Sequence, residues 1–179
     1  IRHVSEVILQ DPALTSRLLK LANSAFYGGR SEVATVEMAA QTVGLDQIQQ
    51  LVLATSLIQS FDKIPMKFVD VNSFWEHSLV CAMASALIGE YLRDPSPQRL
   101  FVAGLLHEIG RLMMFVCAPE ESQSILERCE REQALSCTIE RDVLGFDHCD
   151  VGAELMASWG LPKGLTEAAR NHHVNSRTS

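Results

Sequence analysis

The segment FVAGLLHEIGR, residues 101–111, combines a long apolar run with two adjacent polar side chains. Its first six residues are apolar or glycine, so a helix built from them is expected deep in a core. The stretch then places His107 directly before Glu108. Burying two such polar groups costs several kcal/mol unless they are paired, hydrogen-bonded or bound to a metal. The pair is therefore either a polar clasp between core helices or part of a metal site.

Composition places the chain among globular proteins. It has 179 residues, of which 47% are hydrophobic and 21% are charged. A single domain of this size buries roughly 70% of the surface that its unfolded chain exposes. The composition thus excludes a wholly disordered chain and predicts a sizeable hydrophobic core.

Charge and hydropathy restrict the partners. The net charge is −7, from 15 Lys and Arg against 22 Asp and Glu, without a long run of one sign. Nucleic-acid and anionic-membrane surfaces need clustered basic residues. The sequence has no signal-peptide pattern and no uninterrupted apolar segment approaching ~18 residues. We therefore expect a cytoplasmic protein without membrane contact, and the first residue, Ile1, suggests a piece of a longer chain.

The cysteines are irregularly spaced and include no C-x-x-C pair. An odd number of unpatterned cysteines is typical of reduced thiols in a cytosolic protein. We predict free, mostly buried thiols rather than metal ligands or redox centres. The five residues are Cys81, Cys117, Cys129, Cys137 and Cys149.

Hydrophobic residues recur at a period near 3.6 along almost the whole chain, which predicts an all-α fold. Capping signals mark several helix ends, and Gly110 is expected to permit a bend after the 101–111 stretch. Predicted starts are Pro12, Thr35 as N-cap, Asp46, Asn72, Ser96 as N-cap, Pro119, Thr138 as N-cap and Asp147, with Gly44, Gly145 and Gly160 as helix stops. The inward face of the long helix over 72–93 is predicted to carry Trp75, Leu79, Met83, Ala86 and Leu87.

Two short helices joined at Gly44 also fit a helix-turn-helix over residues 35–61. Glutamines follow Asp46 at the start of its second helix, and glutamine can read adenine in the major groove. However, Asp46 would repel phosphate, and no Lys or Arg lies between Arg30 and Lys63. Packing is thus the favoured role of this segment, and DNA or nucleotide binding is an alternative.

Five histidines fall in the helical segments of the carboxy-terminal two-thirds. A first-row metal binds imidazole nitrogen and carboxylate oxygen at ~2.0–2.2 Å, and several helices can bring such groups together. Spacing alone leaves both a metal site and ordinary hydrogen-bonded histidines open. The histidines are His77, His107, His148, His172 and His173.

The order of these motifs resembles the HD superfamily of metal-dependent phosphohydrolases, and most closely its HDOD branch, the HD-related output domain of bacterial signalling proteins. The resemblance lies in GLLHEIGR at 104–111, in HCDVGA at 148–153, in WGLP at 159–162 before His172-His173, and in DP at 11–12 followed by LLKLANSAFY at 18–27. It covers nearly the whole chain. It implies an all-helical fold with an amino-terminal helical subdomain, residues 1–62, and an HD-like core, residues 68–179.

The resemblance also implies a metal site. In active HD enzymes His77, His107 and the acid at 108 would be ligands, together with a later Asp. In the HD-GYP relatives, which hydrolyse cyclic di-GMP, His148, His172 and His173 would complete a two-metal site. The ion would be Fe, Mn, Mg or Zn, and it would activate water for phosphodiester hydrolysis.

Several departures from this pattern point away from catalysis. Position 108 is Glu rather than Asp, Val174 stands where the phosphodiesterases carry Glu, and no Gly-Tyr-Pro triplet or later helix with an Asp is present. Arg111 is expected to pair with Glu108 rather than clamp phosphate. We therefore predict a non-catalytic regulatory domain that contacts signalling proteins and can form oligomers. The alternatives are an HD-type nucleotide or cyclic-dinucleotide phosphodiesterase and a DNA- or nucleotide-binding adaptor.

Overall fold

The computed structural model describes residues 8–9, 12–23, 33–45, 48, 52 and 68–173. Within these ranges all regular structure is helical, so the all-α prediction is confirmed. Most of the predicted helix over 46–61, with its proposed DNA-reading glutamines, lies outside the described residues. The helices are α1 (Pro12–Ala22), α2 (Val36–Val43), α3 (Val71–Tyr91), α4 (Pro97–Leu106), α5 (Ile109–Cys117), α6 (Pro119–Glu132), α7 (Ser136–Leu144), α8 (His148–Ser158) and α9 (Lys163–Asn171).

The chain divides into two compact units, Ile1–Phe61 and Asp62–Ser179. In the first unit α1 packs on α2. The Thr35 side chain caps α2 by accepting a hydrogen bond from the Met38 amide at 3.1 Å. Gly44 ends the helix with a φ of 98°, a backbone conformation that glycine adopts without steric cost. Both ends of α2 are therefore as the sequence predicts.

In the second unit, close packing of α3 on α4 selects small residues for the contact. A Cβ on Gly104 would lie 2.7 Å from the Ala82 Cα, so the two backbones nearly touch. The buried residues of α3 are accordingly Ser78, Ala82, Ala86 and Gly89. Of the predicted inward residues only Ala86 is fully buried, because leucine and methionine side chains are too large for this contact.

From Leu79 onward, the large apolar residues of α3 instead point to solvent. Leu79, Met83 and Leu87 are 45%, 49% and 61% exposed, which corrects the prediction that they face the core. We call this surface the α3 apolar face. It comprises Leu79, Val80, Met83, Leu87, Ile88, Tyr91 and Leu92.

The 101–111 stretch is broken by a turn at His107 and Glu108. The helix α4 ends at Leu106 and α5 begins at Ile109, so the bend predicted at Gly110 occurs two residues earlier. The cause is local: the Nδ1 atom of His107 lies 2.7 Å from the Gly104 carbonyl oxygen. In a continuous helix that oxygen would accept the amide of Glu108. The turn therefore replaces the backbone hydrogen bond to Gly104 by one from the His107 ring, and it positions the side chains of His107 and Glu108.

The stretch is apolar enough to raise the question of a membrane span. Pro97–Cys117 has the length and the mean hydropathy, 1.7, of a spanning helix, and 61% of its most apolar window is buried within the protein. Buried core helices can have the same length and composition, so this finding alone is weak evidence for a membrane span.

Gly110 allows α5 to approach α8 very closely. A Cβ at this position would lie 2.0 Å from the His148 carbonyl oxygen and 2.5 Å from the Gly152 amide nitrogen. Both neighbours are backbone atoms, which cannot move aside as a flexible side chain would. The contact holds the start of α8 against the turn at Glu108.

The helix α8 begins directly after Asp147, as predicted, and a capping box closes its first turn. The Asp147 side chain accepts the amides of Cys149 and Asp150, and the Asp150 side chain accepts the amide of Asp147. Arg141 forms an ion pair with the buried Asp147 at 2.9 Å. These interactions fix His148 as the first residue of the helix.

Three smaller predictions are corrected. The helix α7 begins at Ser136, so Thr138 lies inside it rather than at its cap. Ser96 holds the N-cap position of α4 without a side-chain cap, and its amide donates instead to Asp94. None of the five cysteines forms a disulfide bond, as predicted, but only Cys137 and Cys149 are buried.

Substitution of Gly110 by alanine should lower the free energy of unfolding by about 3 kcal/mol, because the added methyl group overlaps the α8 backbone. Gly164→Ala is the matched control, since nothing lies within 4 Å of a Cβ there and alanine favours helix. Urea unfolding of both variants measures the difference. Equal midpoints in the two variants would contradict this packing.

Candidate metal centre

The predicted site residues lie together in the second unit. His77 is on α3, His107 and Glu108 form the turn between α4 and α5, His148 begins α8, and His172 and His173 follow α9. The imidazole ring centroids of His77 and His107 are 5.6 Å apart, and those of His107 and His172 are 4.9 Å apart. The His148 and His172 rings are 5.2 Å apart, and those of His172 and His173 are 4.2 Å apart. Their role as metal ligands stays a prediction.

The donor atoms fall into two groups, each with its members within 4.8 Å of one another. The first, called the Glu108 group, consists of Glu108, His148, His172 and His173. The second, called the His77 group, consists of His77, Cys81 and His107.

The carboxylate of Glu108 is the centre of the first group. Its Oε1 atom lies 3.8 Å from the Nε2 atoms of both His148 and His172, and 3.9 Å from that of His173. The predicted pairing with Arg111 is present, with 3.3 Å between Nη1 and Oε2. Even so, Oε2 is buried and has no hydrogen-bond partner among the described residues.

Electrostatics keep Glu108 ionised. Burial alone would raise the pKa of its carboxyl group, but the neighbouring His172 and the positive charge of Arg111 outweigh burial and hold the pKa well below its usual range. A buried negative charge is thus present at neutral pH. Such a charge requires compensation by neighbouring positive charge.

Hydrogen bonds fix which nitrogen of each imidazole carries the proton. The Nδ1 atom of His148 lies 2.6 Å from a carboxylate oxygen of Glu140, and that of His172 lies 2.7 Å from the Ala169 carbonyl oxygen. His107 has the same arrangement with Gly104. These partners can only accept, so the proton is assigned to Nδ1 and the Nε2 lone pair of a neutral ring is free. This is the form of histidine that binds metal.

The Nε2 atoms of His148 and His172 face each other at 3.2 Å. Two lone pairs at this distance repel unless a proton or a cation lies between them. A tetrahedral ion with N bonds of ~2.0–2.1 Å places two ligand nitrogens about 3.3 Å apart. The observed separation fits such an ion, and the Glu108 oxygen, at 3.8 Å, needs to move by only about half an ångström to join it.

Burial determines the protonation of the other rings. It lowers the pKa of His107 to about 4, against the opposing effect of Glu108. Burial, together with the nearby His172 and His148, also lowers the pKa of His173. Burial and the charge of Glu108 raise the pKa of the Cys81 thiol. At neutral pH, therefore, His107 and His173 are uncharged and able to bind a metal.

Sequence reasoning missed two residues of this region. Glu140 is only 2% exposed and accepts hydrogen bonds from both the amide and the ring of His148. Its only signal in the sequence is an acid beside Ile139 on the inward side of α7. Cys81 is predicted only as one of the reduced thiols, although its position four residues after His77 places the two on one face of a helix.

A helical core in which a buried His–Glu turn meets histidines from three other segments defines an HD-type domain. A family model of the HDOD domain matches residues 1–175. The chain belongs to the HDOD domain family, as the sequence motifs predict.

Solved structures agree with this assignment. An HDOD domain protein of unknown function from Geobacter sulfurreducens is 28% identical, with a TM-score of 0.78 over 96% of this chain and 57% of its own. A Shewanella amazonensis SB2B protein named "Putative phosphohydrolase" is 27% identical, with a TM-score of 0.77 over 96% of this chain and 60% of its own. The MmoQ response regulator from Methylococcus capsulatus is 31% identical, with a TM-score of 0.55 over 95% and 66%. The chain thus spans less than two thirds of each of these proteins.

Substitution of Glu140 by Gln should weaken metal binding about 10–100-fold, because the lost charge lowers the basicity of the His148 ring and loosens its orientation. Isothermal titration of the metal-free protein with Zn²⁺ measures this. Glu130→Gln removes the same charge from an exposed position of α6 and serves as the control. Equal affinities for the two variants would show that Glu140 does not support the site.

In metal-free protein the ring of His107 should titrate near pH 4, which NMR of labelled histidine can follow. In urea-unfolded protein the same ring should titrate near its usual value of about 6.5. Between these two values the unfolded chain binds the extra proton and the folded chain does not. Stability should therefore fall as the pH drops through this window, and a folded-state titration near 6.5 would contradict the burial of His107.

Proposed function

We propose that this chain is a non-catalytic regulatory domain that holds a divalent metal ion in the Glu108 group and acts through contacts with signalling proteins. The observation that carries the proposal is the convergence of one buried carboxylate and three imidazoles on one point. The side chains of Glu108 and His148 are only 6% and 0% exposed. Ions such as Zn²⁺, Mn²⁺ or Fe²⁺ accept this mixture of nitrogen and oxygen donors.

The number of protein ligands favours a structural ion over a catalytic one. Structural zinc sites have four protein ligands, whereas catalytic sites keep one position open for water or substrate. The Glu108 group supplies four ligands by itself. The Glu at position 108, where HD enzymes carry Asp, lets the carboxylate reach further toward His172 and His173. When bound, the ion would supply positive charge that neutralises Glu108.

A regulatory role follows from what the ion would connect. It would tie the turn between α4 and α5 to the start of α8 and to the end of α9, three segments separated in sequence. Metal binding of this kind stabilises the folded state by mass action. Whether α9 is ordered would then depend on metal occupancy. A helix with an ordered and a disordered state is a kind of switch that signalling domains use.

Two observations support protein contacts as the output. The α3 apolar face is exposed, and contiguous apolar surface of this kind is typical of protein interaction sites. The similar protein from Methylococcus capsulatus is named a response regulator. A cytoplasmic signalling role is therefore part of the proposal.

A phosphohydrolase is the second candidate, and a cavity of about 370 Å³ favours it. His77, Glu108 and Arg111 contribute to its lining, as does the aromatic ring of Phe74. A phosphate ester could enter there and approach the histidines. For DNA or nucleotide binding, no described residue offers support beyond the sequence pattern, and the net charge of −7 argues against it.

Metal removal should loosen α9 and the residues after it. Hydrogen exchange of the amides over 163–173 should be faster in chelator-treated protein than in Zn²⁺-loaded protein, because the ion tethers His172 and His173. In His172→Ala the metal should no longer change the exchange rates. His77→Ala lies outside the Glu108 group and should keep the metal effect. Equal exchange rates in the chelator-treated and Zn²⁺-loaded forms of the unsubstituted protein would contradict a structural ion.

The metal-loaded domain should not hydrolyse phosphodiesters. Cyclic di-GMP and a chromogenic phosphodiester, each with added Mn²⁺, Fe²⁺ or Mg²⁺, are suitable substrates. We expect no turnover above that of the His107→Ala variant, which lacks a predicted ligand. Turnover that this variant abolishes would overturn the regulatory proposal in favour of the phosphohydrolase.

A further inference from the structure

The α3 apolar face is larger than the apolar patches that monomers usually expose. Its seven residues expose about 800 Å² of accessible surface, whereas the largest apolar patch on a typical monomer measures about 300–600 Å². Each partner also contributes about 800 Å² to a stable protein interface of standard size. The face therefore offers enough area for an interface of that size.

Four exposed residues of this helix follow the spacing of a helix–helix interface. Val80, Ala84, Leu87 and Tyr91 recur at steps of four, three and four residues, which is the spacing of the a and d positions in a coiled coil. At about 3.6 residues per turn they form one stripe, and this stripe lies opposite the buried small residues that contact α4. The helix α3 thus packs on α4 through one side and presents a second packing stripe on the other.

We propose that this face binds a second copy of the same chain, with the two α3 helices antiparallel about a two-fold axis at the middle of the face. In this register Tyr91 lies opposite Val80 of the second copy, and Leu87 lies opposite Ala84 of the second copy. Each large side chain then meets a smaller one, which lets the two helices interdigitate. A two-fold interface requires a patch that is complementary to itself in this way.

The charges at the two ends of the face favour the antiparallel arrangement. Glu76 precedes the face and Arg93 follows it, and both are exposed. In the antiparallel pair, Glu76 of each copy comes within about 3 Å, measured along the helix axis, of Arg93 of the other copy. A parallel pair would instead place Glu76 beside Glu76 and Glu90 beside Glu90, and such like charges repel. The charge pattern is therefore complementary to itself in the antiparallel orientation.

The composition of α3 argues against a lipid surface as the occupant of this face. Helices that lie on membranes combine an apolar face with Lys and Arg residues, whereas Val71–Tyr91 contains neither. Its exposed charges are Glu76 and Glu90, which the anionic surface of a membrane would repel. A protein partner fits this face better, and the self-complementary pattern favours a second copy as that partner.

The dimer rests on the proposed function in one respect, since both take the α3 apolar face as a site of protein contact. It does not rest on the metal, because no residue of the Glu108 group lies on α3. Dimerisation should therefore be the same in chelator-treated and Zn²⁺-loaded protein. The two proposals can consequently fail separately.

Sedimentation equilibrium of the full chain at micromolar concentrations tests the dimer, and it should give twice the mass of one chain. Leu87→Glu should weaken the dimer by more than about tenfold, because it places a charge at the centre of the interface. Leu135→Glu makes the same change at an exposed leucine outside the face and should leave the dissociation constant unchanged. Both variants should keep the circular dichroism of the unsubstituted chain. A monomeric unsubstituted chain, or equal dissociation constants for the two variants, would overturn the proposal.

An exchange of the end charges tests the orientation independently of Leu87. At low ionic strength Glu76→Arg alone should weaken the dimer about twofold to fivefold, since it brings two positive charges together, and Arg93→Glu alone should have a similar effect. The double variant should restore the affinity, because the opposite charges again face each other. A double variant as weak as the single ones would overturn the antiparallel arrangement. A monomeric chain whose α9 exchange still responds to Zn²⁺ would overturn the dimer and leave the metal-binding regulatory domain in place.

Discussion

The structure depends on a buried negative charge that must be compensated. Glu108 is 4% exposed and lies among three imidazoles and one guanidinium. A carboxylate in such surroundings is costly unless cations or hydrogen-bond donors surround it. With the ring protons assigned to Nδ1, the Nε2 lone pairs of His148 and His172 face one another at 3.2 Å. The proposed metal ion would resolve both problems at once, since it would neutralise the carboxylate and accept the lone pairs.

The rest of the core keeps these groups in place. The turn at His107 and Glu108 exists because an imidazole takes over a backbone carbonyl of α4. Gly110 then lets α8 approach the turn, and the capping box at Asp147 sets the register of that helix. Each of these features uses a residue that would be unremarkable alone. Together they place donors from distant parts of the sequence within a few ångströms of one point.

Much of this arrangement could be predicted from sequence because its signals are local. The cap at Thr35, the stop at Gly44 and the start at Asp147 are where the pattern of residues places them. The motif order also identified the family. Facts that depend on how close two helices lie were not predictable: Leu79 is exposed because Gly104 brings α4 against the small residues of α3. The contact between Glu140 and His148 was not predictable either, because a single acid in a helix gives no sign of the histidine that it will contact.

The central claim is that a divalent cation lies between the Nε2 atoms of His148 and His172 and contacts Glu108. Anomalous diffraction from crystals of the Zn²⁺-loaded domain, measured on both sides of the zinc absorption edge, tests it most directly. The account predicts an anomalous peak at that point with ligand distances of about 2.0–2.2 Å. A map without a peak there, in which the two histidines keep their 3.2 Å separation through a shared proton, would contradict it.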